Sequence, residues 1–133
     1  MKKFFILTLL ILNSVNTYSQ AQELYFIEPK NGEKLKSPIT VKFGLRGFGV
    51  APAGVIKENT GHHHLLVDVE VLPNLDKPIP ATKNHIHFGG GQTETLISLS
   101  KGSHTLQLLL GDAYHVPVNP VLLSKKITVY VLE

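Results

Sequence analysis

The chain carries seven histidines, His62, His63, His64, His85, His87, His104 and His115, and four of them form two spaced pairs, His62/His64 and His85/His87. Histidine is the commonest metal ligand, and His-x-His on a strand is a recurring two-ligand unit for zinc or copper. An extended strand rises about 3.3 Å per residue, so the members of a pair share a face with Cα atoms about 7 Å apart. Two imidazoles at that spacing can lean toward one ion. Two such pairs plus a loop histidine give a three- or four-coordinate site. The alternative is that all four are polar residues on the solvent face of two strands.

His115, three residues after Asp112 in a loop, is the candidate to complete the site, with Asp112 as a carboxylate ligand or as an orienter of one. Asp68 is a poorer choice, because four strand residues place it about 13 Å from His64. His63 points with the core residues and reads as packed or hydrogen-bonded. His104 is in phase with Leu106, Leu108 and Leu110 and reads as a satisfied core histidine. There is no cysteine, and the one methionine is Met1. A donor set without thiolate or thioether disfavours Cu(I) and suits Zn(II), Cu(II) or Ni(II). Ligation needs neutral imidazole, so affinity is expected to fall as the pH drops through about 6.5.

Catalytic motifs are missing. No Gly-x-Ser-x-Gly elbow, cysteine nucleophile or His-Glu-x-x-His is present, and Gly89-Gly90-Gly91 precedes a strand rather than a helix. The expectation is a binding protein, not an enzyme. The glycines read as a bend, or as room for a ligand to approach the backbone.

Alternation sets the elements that position these residues. Residues 39–46 are apolar at every odd position, the pattern of a half-buried strand. Further strands are expected at 23–28, from Gly61 to about Val71, at 84–88, at 93–99, at 103–110 and at 125–132. In the histidine strand Leu65, Val67, Val69 and Val71 fall on one face, and His62, His64, Leu66, Asp68 and Glu70 on the other. Residues 47–60 form a loop with Phe48, Val50, Val55 and Ile56 available to pin it down, and 74–84 is a connection. The turn Ser100-Lys101-Gly102-Ser103 suggests that 93–99 and 103–110 form a hairpin. About seven short strands and no amphipathic helix predict an all-β fold, an antiparallel immunoglobulin-like β-sandwich.

The first 21 residues have the layout of an export signal: basic Met1-Lys2-Lys3, an apolar run at 4–12, then small and polar residues. Cleavage is expected after Ala21, or after Ser19, leaving one domain at 22–133 that is periplasmic or secreted. The apolar run is too short to span a bilayer, so no membrane span remains after cleavage. Cleavage also removes Lys2 and Lys3 and with them most of the formal charge of +3. No basic run or aromatic stacking platform points to nucleic acid. The partner is expected to be a divalent metal ion or an envelope protein or polymer.

Three ordered motifs sharpen this reading: Gly61-His62-His63-His64-Leu65-Leu66, His87-Phe88-Gly89-Gly90-Gly91-Gln92-Thr93-Glu94, and residues 104–112 with His115 behind them. Together they resemble an uncharacterised family of exported bacterial domains catalogued as domains of unknown function. That resemblance implies a small periplasmic or secreted domain and carries no established activity. More loosely, Pro29-Lys30-Asn31-Gly32 followed by residues 37–43 is similar to the opening strands of immunoglobulin-like periplasmic copper-resistance proteins. The chain departs from those in having no methionine-rich segment.

Overall fold

The computed structural model describes residues 20–132. The expected export signal, residues 1–21, lies outside the described residues but for Gln20 and Ala21. Nine strands follow one another: β1 (Glu23–Glu28), β2 (Lys34–Leu35), β3 (Ile39–Arg46), β4 (Gly49–Val50), β5 (Thr60–Val67), β6 (His85–His87), β7 (Glu94–Ile97), β8 (Gly102–Gly111) and β9 (Ile127–Val131). Seven are the expected ones. The two additions, β2 and β4, are two-residue pieces that pair in parallel with β9 and β5. Among the described residues no helix is long and apolar enough to cross a membrane.

The strands form two sheets, a β-sandwich. One has three strands in the order β1-β3-β7; the other runs β2-β9-β8-β5-β4, with β6 also paired to β5. Alternation explains the core between them. Ile39, Val41 and Phe43 of β3 face Leu65 and Val67 of β5, Leu106, Leu108 and Leu110 of β8, and Ile127, Val129 and Val131 of β9. The intervening residues of β8 and β5 face outward, yet they too are buried. Leu66 and Leu109 pack with Ile79, Val69, Leu72, Leu75 and Leu123 into a second, smaller cluster. The proline-bearing connection 68–84 folds back over the outer face of β5 and covers it. β5 is therefore buried on both sides, and that position decides what its histidines can do.

Three expectations are corrected. Strands 93–99 and 103–110 are not a hairpin: β7 pairs with β3 in one sheet and β8 with β5 and β9 in the other. A polar turn reverses the chain, but it does not dictate that the flanking strands bond to each other. The alternation of the histidine strand also stops at Val67. Asp68 adopts φ 54°, a left-handed conformation in which Asp is one of the few tolerated residues. The chain turns there, Val69 joins the outer cluster, and Val71 is left 83% exposed. Of the four side chains expected to pin down the loop 47–60, Phe48 packs against the core, while Val50, Val55 and Ile56 stand exposed.

These environments separate two substitutions that look alike in sequence. Leu65→Ala empties a fully buried site and is expected to cost about 2–5 kcal/mol in chemical denaturation. Val71→Ala is expected to change stability by less than about 0.5 kcal/mol, as at an ordinary surface position.

Candidate metal centre

His62 and His64 project from the outer face of β5, and strand register brings a third imidazole to them. In the antiparallel β5–β6 pair His64 stands opposite His87. The ring centroids of His62 and His64 are 4.8 Å apart, those of His62 and His87 5.0 Å, and those of His64 and His87 5.1 Å. A ligand nitrogen from each of the three lies within 4.8 Å of the others, so the group can hold a metal ion. Tetrahedral ligation at about 2.0–2.1 Å sets ligand nitrogens about 3.3 Å apart. Nε2 of His62 and Nε2 of His87 are already 3.2 Å apart.

His115 stands beside this group, its ring 4.7 Å from that of His87, 5.2 Å from His62 and 6.3 Å from His64. Its backbone is left-handed at φ 67° and anchored: its carbonyl accepts from the Ile79 amide at 2.8 Å. Asp112 shapes the same loop. Its Oδ1 accepts hydrogen bonds from the amides of Tyr114 (2.8 Å) and Val116 (3.0 Å). The carboxylate thereby positions His115, and its charge also reaches His62. The second histidine pair does not enter whole. His85 sits two residues along β6, opposite Leu66, and its Nδ1 lies 3.0 Å from Thr82 Oγ1. His104 is hydrogen-bonded to Asp68, away from the cluster.

Burial sets the electrostatics. His62 and His64 are 0% and 1% exposed, while His87 is open to solvent. Loss of solvation, reinforced by the neighbouring imidazoles, pushes the pKa of His62 down to about 4 and that of His64 to about 3. Burial first, then His115, lowers His87 as well. At neutral pH these rings are therefore neutral, the form that ligates a cation. The ordinary midpoint near 6.5 does not apply to His62 or His64, so proton competition sets in at lower pH than their residue type suggests.

The nitrogen inventory points the same way. Nδ1 of His62, His64 and His115 is buried with no hydrogen-bond partner among the described residues. A buried polar atom left unpaired costs about 1–3 kcal/mol. Several such atoms on converging imidazoles match the donor set of a divalent transition metal, which takes lone pairs. His63 differs. It lies on the core face, fully buried, its ring 5.0 Å from that of Phe43. Neither of its nitrogens has a hydrogen-bond partner among the described residues, and burial takes its pKa down to about 4.

Two glycines make room for the rings, one of which sequence reasoning passed over. A Cβ on Gly111, opposite His62 across the β5–β8 pair, would lie 2.7 Å from Cε1 of His64 and 3.4 Å from Ile79. A Cβ on Gly89 would overlap the His87 ring. The triple-glycine motif reads as a bend or as room for a ligand, and in the structure the group close to Gly89 is the His87 ring. Gly111 carried no signal, because the pairing that sets it against the cluster spans distant segments.

A family model described as domain of unknown function (DUF4399) matches residues 41–132, which include every histidine of the cluster. Nothing matches among curated proteins or among solved structures.

Two outcomes follow from this packing. Gly111→Ala is expected to destabilise the metal-free protein by about 1–3 kcal/mol in chemical denaturation, the cost of overpacking against His64. The buried histidines also make stability acid-sensitive. Their folded pKa values lie below the unfolded value, so stability is complete above about pH 6.5 and is lost as the pH falls toward 4. Each histidine protonated only in the unfolded chain removes about 1.4 kcal/mol per pH unit. Denaturation midpoints of metal-free protein that stayed level from pH 7 to pH 5 would contradict this.

Proposed function

We propose that this chain, which belongs to the DUF4399 family, is an exported β-sandwich that binds a divalent transition metal, Zn(II), Cu(II) or Ni(II), for buffering or delivery. The single observation that carries the reading is the convergence of His62, His64 and His87 within 4.8 Å of one another. The partnerless buried nitrogens around them add to it. His62 and His64 supply two ligands from one rigid strand, His87 supplies the third from the adjacent strand, and His115 swings in as the fourth. Asp112 acts by holding the His115 loop. Among the described residues the converging ligand atoms are all imidazole nitrogens, a set that suits holding a cation. The layout of residues 1–21 supports a periplasmic or secreted location.

A second reading is a metal-free interaction module. It is favoured by one observation, a groove between residues 55–60 and 112–114 with Val55, Ile56 and Tyr114 exposed on it. Under that reading the groove docks an envelope protein, and the histidines only shape its border.

Thermal unfolding with and without each metal separates the two. A metal held at 100 times its dissociation constant is expected to add about 2.7 kcal/mol, several degrees in Tm for a domain this small. The gain should vanish in a His62→Ala/His64→Ala variant and shrink in His87→Ala. No shift with any of the three ions would set the metal reading aside and leave the docking surface.

A further inference from the structure

Residues 98–101 carry the chain from one sheet to the other, and a histidine outside the cluster ties this connection down. Nδ1 of His104 lies 2.7 Å from Oδ2 of Asp68, and Nε2 lies 2.9 Å from the carbonyl oxygen of Ser100. A carboxylate and a carbonyl can only accept hydrogen bonds, and only the imidazolium carries a proton on both ring nitrogens. The surroundings of His104 therefore fit its charged form.

The groups facing the ring come from three elements. The end of β5 contributes Asp68, whose Oδ1 also accepts from the Thr105 amide at 2.8 Å. The connection contributes the Ser100 carbonyl and hydroxyl, with Lys101 next in the chain. Across the β8–β9 pair Val129 stands opposite His104. Lys126, just before β9, is directed to the Val69 carbonyl at 2.8 Å. Asp68 is thus the charge in contact with the imidazole. The Ser100 hydroxyl is 3.4 Å from Nε2, long for a hydroxyl hydrogen bond, so deprotonation costs the connection its short tie to the ring without an equal replacement.

We propose that His104 is a proton-operated latch: doubly protonated, it clamps the inter-sheet connection at Ser100 to the end of β5 at Asp68, and deprotonation releases the connection. Carboxylate, imidazole and serine also have the composition of a catalytic triad, but here Nε2 is committed to the Ser100 carbonyl and has no lone pair for the hydroxyl proton. Burial opposes the charge on His104, but the bonds to Asp68 and Ser100 and the charge of Asp68 outweigh it and raise the pKa above the ordinary value. The latch is complete below about pH 6.5 and is lost as the pH rises through the folded-state pKa. Its sign is opposite to that of the buried cluster. The inference is independent of metal binding and concerns the metal-free protein.

The test follows the His104 ring resonances of metal-free protein by NMR from pH 5 to pH 9, alongside amide exchange at Leu99, whose N–H donates to Ser37 Oγ at 3.0 Å. The expected result is a His104 midpoint above 6.5, with the Leu99 protection factor falling through that midpoint. In Asp68→Asn the midpoint should drop, and the fall in protection at Leu99 should move to lower pH with it. Ser100→Ala, which keeps the carbonyl, should keep the latch. A His104 midpoint at or below 6.5, or a Leu99 protection factor that ignores it, would overturn the proposal. So would an Asp68→Asn variant titrating like the parent.

Discussion

The structure depends on one strand that has no solvent face. β5 lies between β8 and β6, its inward side chains fill the sandwich core, and on its outer side Leu66 packs under the connection 68–84 while His62 and His64 pack against His87 and His115. A central strand of this kind is normally apolar throughout. Here three consecutive residues of it are His62-His63-His64, and all three rings are buried. Polar atoms in such a place need partners, yet the groups brought to His62 and His64 are further imidazoles, and several ring nitrogens stay unmatched among the described residues. Neutral rings, lowered pKa values and the unmatched nitrogens all trace back to the burial of β5.

The histidine cluster belongs to the sheet's outer layer and not to the space between the sheets. Backbone pairing fixes the Cα positions of His62, His64 and His87, and hydrogen bonds from two other segments fix the loop that carries the fourth histidine. The Ile79 amide bonds the His115 carbonyl, and the Gly54 amide bonds the Ala113 carbonyl at 2.9 Å. Asp112, absorbed by its own loop amides, shows how a carboxylate beside a histidine can shape a site without offering it an oxygen.

What could be read in sequence was local. Alternation placed His62 and His64 on one face and located seven of the nine strands, because a two-residue period shows in any short window. Which histidine of the second pair would join them was not legible. His85 and His87 are equivalent by alternation, and only the register that sets His64 against His87 distinguishes them. The same limit explains the hairpin that does not exist, since the polar turn at 100–103 looks alike whether its strands pair or part. The end of β5 at Asp68 was hidden for a related reason. The residue's left-handed turn is stabilised by Thr105 and His104, far along the chain.

The uneven exposure of the cluster gives it a direction. His87 faces solvent while His62 and His64 lie beneath it. Any ion that the cluster took up would come in past the exposed His87 imidazole, with the buried rings of His62 and His64 lying beneath that point of entry. A group receiving such an ion would have to approach on that same side.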